Sequence, residues 1–215
     1  MRLRNIPAAP EAVANSAYCI SEPDTLKGQW KMSFSNNMPL HIEIGMGKGQ
    51  FLMQLAKLHP DIYYLGMERY ASILYRGLQK MEEDPLSNLS FLPFDATNIT
   101  DYFAPFELDK IYLNFSDPWP KDRHANRRLT SPIFLQRYHN IITTDGSLEF
   151  KTDHRDLFDF SVKSFEESSL WELDLCTYDL HHDPLLSQGN IMTEYEAKFS
   201  SMGNSICKLT AHPVF

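Results

Sequence analysis

Between residues 40 and 58 the chain reads LHIEIGMGKGQFLMQLAKL. Leu40–Ile44 predicts a strand, Gly45–Gly49 a tight turn, and Gln50–Leu58 a helix with apolar residues at 51, 52, 55 and 58. A strand that turns at once into an amphipathic helix can bury both apolar faces only in a layered α/β arrangement. The alternation continues. Ile62–Met67 predicts a strand, Ser72–Glu83 a helix ended by Pro85, Leu89–Leu92 a short strand and Lys110–Phe115 another. Ser131-Pro132 opens a helix running through Ile142, which Thr144-Asp145-Gly146 stops. Ser147–Lys151 predicts a strand and Arg155–Ser168 a helix. Trp171–Leu180 and Ser205–Ala211 predict a closing antiparallel pair. The expected fold is therefore a Rossmann-like α/β sheet, mostly parallel, with a C-terminal antiparallel strand pair and helices on both faces. Residues 40–215 form one domain. Residues 1–39, polar and rich in proline, form an arm with one short helix around Glu11–Tyr18.

Ligands of such sheets sit at the carboxyl ends of the strands. That rule gathers Gly45, Glu68, Phe94-Asp95, Phe115 to Asp117 and Thr152-Asp153 on one rim. The glycine turn is not a phosphate loop, because Lys48 is followed by Gly49 rather than by Ser or Thr. Nor is it a dinucleotide fingerprint, because position 50 is Gln. A structural tight turn is the plain alternative. The acids downstream sharpen the reading. Glu68, at the next strand end, can accept hydrogen bonds from both ribose hydroxyls. Asp95 can accept from an adenine amino group. Lys48 is the only positive charge in the loop. The best match is an adenosine without phosphates, S-adenosylmethionine, with Glu43 near its positively charged end and the backbone of Gly45 and Gly47 close against it.

Residues 114–129 read NFSDPWPKDRHANRRL. A carboxylate, Asp117, is held in a proline-rich stretch beside a flat aromatic, Trp119, and a basic cluster follows. Trp119 is equally compatible with stacking on a base and with packing. Lys121–Arg128 hold four Lys/Arg against one acid, Asp122. This local charge matters because the net charge of the 215-residue chain is -8, which argues against generic affinity for nucleic acid. An acidic chain with one basic patch suits a site-specific binder.

No apolar run approaches the roughly 20 residues needed to span a bilayer, and no apolar stretch follows the basic start Met1–Arg4, so neither membrane nor signal peptide is expected. Cys19, Cys176 and Cys207 are far apart and form no metal spacing, as expected of reduced thiols in a cytoplasmic protein. His181-His182-Asp183 has the residue types of a metal cluster, but adjacent histidines diverge and no further ligands are spaced around them; no metal is expected. Monomer and homodimer both stay open.

These blocks together resemble the class I S-adenosylmethionine methyltransferases. More closely, they resemble the bacterial tRNA (guanine-N7)-methyltransferase family. The matching segments are Glu43–Gly49, Glu68, Phe94-Asp95-Ala96, Asn114–Leu129, Lys151-Thr152-Asp153 and Thr193–Glu196. The resemblance implies that Glu43, Glu68, Asp95 and Asp117 touch the cofactor, with Ala96 and Asn114 beside them, and that Asp117 lies closest to the chemistry. It implies that Lys121, Asp153, Thr193 and Glu196 contact the substrate guanosine. Arg123, His124, Arg127 and Arg128 would meet the tRNA backbone. Asn126 departs from the family, which usually shows a basic residue there. The implied reaction moves a methyl group to N7 of a guanosine in the tRNA variable loop and leaves S-adenosylhomocysteine.

Two other functions share parts of this pattern. Methyltransferases acting on exocyclic amines typically show Asn/Asp-Pro-Pro-aromatic, and Trp119 stands where the second proline would be. A non-catalytic RNA-binding protein need not keep the acid set Glu43, Glu68, Asp95 and Asp117.

Overall fold

The computed structural model describes residues 5–33 and 37–215. The basic start, Arg2 and Arg4, lies outside the described residues. The chain falls into two compact units, Met1–Ala104 and Pro105–Phe215.

The first unit holds α1 (Ala9–Asn15), α2 (Trp30–Ser33), β1 (Leu40–Ile44), α3 (Gln50–Leu58), β2 (Tyr63–Met67), α4 (Ala71–Glu83), β3 (Leu89–Leu92) and α5 (Ile99–Tyr102). β2 pairs in parallel with β1 on one side and β3 on the other. All five residues of β2 are buried, the run expected of a parallel strand covered on both faces. α4 turns Leu74, Gly77, Leu78 and Met81 inward at helical spacing.

The stretch expected as an arm packs onto this unit. Ile20 N–H donates to Phe91 O at 2.9 Å, and Phe91 N–H donates to Tyr18 O at 2.8 Å. Trp30 is wholly buried, its indole N–H donating to Tyr102 O at 2.8 Å and its ring stacked 4.9 Å from Phe103. α1 starts two residues earlier than its expected position and ends at Asn15. Pro10 favours the first turn. Ser16 is extended, and its hydroxyl accepts from Tyr18 N–H, a local bond that competes with further helix.

The second unit holds β4 (Leu108–Asn114), α6 (Pro132–His139), β5 (Ile142–Thr152), α7 (Arg155–Glu166), β6 (Trp171–Thr177), α8 (Glu194–Ser201) and β7 (Cys207–Pro213). β4 and β5 are parallel; β7 is antiparallel to both β5 and β6 and lies between them. The mostly parallel sheet with an antiparallel C-terminal pair thus stands as expected. The boundary between α6 and β5 is corrected. The helix expected through Ile142 stops at His139, and Thr144-Asp145-Gly146 lies inside β5 rather than before it. The β4–β5 register slips between Leu108 and Lys110, and a Cβ on Gly146 would lie 2.6 Å from Ile142 Cγ1 and 3.0 Å from Asp109 O. Here glycine marks a close approach within an irregular strand, not a helix stop. β6 ends at Thr177, earlier than expected, and Leu180–His182 forms a 3-10 turn.

Candidate active site

In the first unit the parallel register sets the ends of β1, β2 and β3 side by side, with Ile44 opposite Met67 and Met67 opposite Leu92. Gly45, Glu68 and Asp95 follow those ends. The glycine loop is tied to β2 by Gly45 N–H and Met46 N–H, which both donate to Met67 O, at 2.8 and 3.1 Å. Gly45, Gly47 and Gly49 have φ of 78°, 60° and 74°. Such left-handed backbone costs a residue with a Cβ about 1–2 kcal/mol, so glycine is favoured at all three positions. A Cβ on Gly45 or Gly47 would meet nothing within 4 Å. The loop therefore presents bare backbone to open space, a cradle that a ligand can approach closely. Glu43 is buried within β1.

Glu68 is also buried, and its carboxylate accepts Tyr70 N–H at 2.9 Å. Asp95 accepts from Thr97 N–H at 2.9 Å and from Arg69 Nη1 at 3.0 Å. Burial works against the charge on Asp95, but the Thr97 and Arg69 bonds hold its carboxyl below the usual range. Ala96, the next residue, is buried. These side chains are oriented by their own neighbours before any ligand arrives.

In the second unit β4 ends on Asn114, opposite Lys151 of β5, and Phe115 N–H extends the ladder to Lys151 O at 2.8 Å. The chain then turns sharply. Phe115 and Trp119 have φ of 50° and 43°. Bulky residues rarely adopt this conformation, and such strain persists only where the surroundings impose it. Asp117 sits between the two and is exposed, whereas Asn114 is buried. Phe115 packs 6.4 Å from both Tyr195 and Phe199 of α8, in near-parallel stacks.

Lys151 is fully buried. Its ammonium donates to Glu196 Oε2 at 2.7 Å, Ile191 O at 2.9 Å and Asn190 Oδ1 at 3.1 Å. Glu196 Oε1 meets Asn190 Nδ2 at 2.6 Å and His181 Nε2 at 3.0 Å. Thr193 caps α8, its hydroxyl accepting Glu196 N–H at 2.9 Å. Thr193-x-x-Glu196 has the sequence of a capping box, but the glutamate carboxylate is spent on Lys151. Asp153 follows β5, is partly exposed, and accepts from Asn204 Nδ2 at 3.1 Å. Thus Asn114, Lys151, Thr193 and Glu196 are brought together, with Asp117 and Asp153 following the ends of the two paired strands. His182 is turned away, to Asp179 at 3.0 Å. The histidine pair therefore serves two different carboxylates.

The basic segment forms a 3-10 helix, Asp122–Arg127. Lys121, Arg123 and Arg127 are exposed, and His124 is partly exposed. Arg127 lies 5.0 Å over the Trp119 ring, and His124 meets that ring edge-on at 5.7 Å. Arg128 turns inward. Its Nε and Nη2 donate to Pro118 O and Trp119 O, each at 3.1 Å.

Comparison with known proteins decides the family. Residues 37–209 match the family model described as "Putative methyltransferase". A tRNA (guanine-N(7)-)-methyltransferase of Lachnoclostridium phytofermentans is 56% identical over 211 residues, 98% of each chain. One from Bacillus subtilis is 47% identical over 207 residues, 96% of each chain. This chain belongs to the tRNA (guanine-N7)-methyltransferase family. Solved structures extend the likeness in fold. The 16S rRNA methyltransferase KamB aligns with a TM-score of 0.61 at 14% identity, covering 87% of this chain and 93% of its own. A "putative methyltransferase from streptococcus mutans in complex with SAH" aligns with a TM-score of 0.54 at 12% identity, covering 82% and 89%. At such identities the likeness is one of fold, that of the class I methyltransferases.

For a tRNA (guanine-N7)-methyltransferase, two features of the second unit escaped the sequence reading. One is the buried Lys151–Glu196 pair, whose signal was a lone lysine in the apolar strand end LEFKT. The other is the inward guanidinium of Arg128, which no sequence signal separates from its basic neighbours.

Proposed function

We propose that the protein transfers the methyl group of S-adenosylmethionine to N7 of a guanosine in the variable loop of tRNA, releasing S-adenosylhomocysteine. The observation that carries the chemistry is Asp117, a carboxylate exposed on a turn between two aromatic residues with left-handed backbone. The cofactor supplies an electrophilic methyl on sulfonium, and guanine N7 takes it up through its own in-plane lone pair, so no base has to remove a proton there. The protein's task is alignment and charge. The purine ring gains positive charge as the methyl arrives, and the Asp117 carboxylate stabilises that charge where it develops.

The glycine cradle fits an adenosine-type ligand: Gly45 and Gly47 offer backbone without side chains, Glu68 takes the ribose hydroxyls, and Asp95 with Ala96 takes the adenine edge. Glu43, Asn114 and Asp117 complete the cofactor set. Lys121 and Asp153 contact the guanosine directly. Thr193 and Glu196 shape the substrate side from the start of α8, where the Lys151 bond fixes them. Arg123, His124, Arg127 and Arg128 meet phosphates of the tRNA. The catalytic domain begins at residue 40, and the preceding stretch is an accessory arm. No helix among the described residues is long and apolar enough to cross a membrane, and among them no cluster of three His, Cys, Asp or Glu is placed to hold a metal. Because the sulfonium already makes the methyl group electrophilic, the proposed reaction calls for no metal, and we take the enzyme to be cytoplasmic.

Unmodified tRNA incubated with methyl-labelled cofactor tests this. Label recovered as 7-methylguanosine supports it. Label on an exocyclic amine assigns the chain a different methyl acceptor, and absence of label removes the enzymatic reading.

A further inference from the structure

Arg128 closes a basic run whose other members are exposed or half-exposed, yet its guanidinium faces the protein. Two of its five N–H groups grip consecutive carbonyls, Pro118 O and Trp119 O, in a fork that lysine cannot reproduce. Behind the fork, the guanidinium carbon lies 4.3 Å from the centre of the Phe160 ring on α7. Its own backbone is anchored as well: Arg128 N–H donates to Ala125 O at 3.0 Å, and Ser131 N–H donates to Arg128 O at 2.9 Å. The residues it grips form the turn that carries Asp117, and that turn has left-handed backbone at Phe115 and Trp119. A strained turn keeps its shape only if something outside it supplies the restraint.

We infer that Arg128 is a positioning residue for methyl transfer: it clamps the Pro118–Trp119 carbonyls onto α7 and so fixes the direction in which Asp117 is presented. This inference rests on the proposed function and reassigns one member of its RNA-binding set. Arg123 and Arg127 remain for the phosphates. Arg128 acts through Asp117 and touches neither substrate. The basic segment thereby couples its two ends, since the helix that presents phosphate-binding cations is tied by Arg128, the residue that follows it, to the turn that presents the acid.

The test compares R128A and R128K with R127A. With R128A, kcat at saturating tRNA should fall by about tenfold or more, because a small misplacement of the acid is costly. The tRNA Kd and its salt slope should stay near wild type. R128K, which keeps the charge, should be similarly slow. R127A should show the opposite emphasis, with weaker tRNA binding and a shallower salt slope. Acrylamide quenching supplies a readout independent of activity. Trp30 and Trp171 are buried and Trp119 is only half-buried, so quenching reports mainly on Trp119. It should rise in both Arg128 variants. The inference is overturned if R128K restores full kcat, if R128A loses tRNA affinity and salt slope while kcat holds, or if Trp119 quenching is unchanged. Should the wild type transfer no methyl to tRNA, the proposed function fails, and quenching in R128K still decides whether the clamp exists.

Discussion

Lys151 Nζ lies 2.7 Å from Glu196 Oε2, and neither side chain has any exposed surface. The pair ties the end of β5 to the first turn of α8, and so holds Thr193–Glu196 near the strand end that leads into Asp153. Removing one partner leaves an uncompensated buried charge, which costs about 3–5 kcal/mol. E196A and K151A should each unfold at markedly lower denaturant concentration. The double variant K151M/E196L should recover part of that loss while remaining impaired in guanosine methylation. Chemical denaturation checks the first expectation, and methylation kinetics the second.

The same pair makes stability depend on acid. Burial pushes the Glu196 carboxyl up, but the charge and hydrogen bond of Lys151, with His181 and Asn190, bring it below its ordinary value of 4.5. Glu149 is likewise lowered: burial opposes its charge, and Lys110, Lys208 and Lys151 favour it. Folding therefore favours the charged forms. Their contribution is complete above the unfolded value and is lost as pH falls through the lower folded values. Unfolding followed between pH 7 and pH 3 should show stability dropping below about pH 4.5, with a flatter acid limb in E196Q.

Asp117 is predicted to act in the reaction rather than in tRNA binding. D117A should reduce kcat by about a hundredfold or more, the scale of losing one well-placed electrostatic contact. Its tRNA affinity should stay within about threefold of wild type, because the phosphate contacts that dominate affinity are untouched. Single-turnover methylation and filter binding separate the two quantities. Near-normal turnover would remove Asp117 from the mechanism.

Gly66 links packing to the cofactor cradle. A Cβ there would overlap the Met46 sulfur and approach Leu52 Cδ1 at 3.0 Å. Met46 belongs to the glycine loop and is buried, so G66A should disturb that loop. It should cost about 1–3 kcal/mol in stability, as overpacking does, and weaken S-adenosylmethionine binding. G47A meets no neighbour and suffers only backbone strain, so it should cost about 1 kcal/mol. Calorimetric titration with the cofactor and thermal melts distinguish the two variants.

The strand–glycine–helix frame was legible because each of its signals is local. Three glycines in left-handed conformation, apolar runs of strand length and helical spacing in α3 and α4 all act within a few residues. The early start of β5 was not legible. Gly146 in Thr-Asp-Gly looks like a turn, and only its closeness to Ile142 and Asp109 reveals a strand irregularity. Arg128 escaped for a related reason. Its sequence neighbours define a basic patch, whereas its guanidinium is placed by Pro118, Trp119 and Phe160, the last 32 residues away in sequence. Thr193-x-x-Glu196 is picked out through the family resemblance alone; its capping hydroxyl acts locally, whereas its carboxylate meets Lys151, 45 residues earlier, a partner no local signal names.

Methylation at N7 itself is the central claim, and chain cleavage measures it most directly. A guanine methylated at N7 carries a positive ring that borohydride reduces and aniline then cleaves from the backbone; methylation at an exocyclic amine leaves the ring resistant. End-labelled, unmodified tRNA should be treated with the wild-type protein and S-adenosylmethionine, reduced, cleaved and sized. The account predicts one new cut, at a single guanosine in the variable loop, absent without cofactor and absent with D117A. Methyl incorporation with no cut, or no incorporation at all, would contradict it.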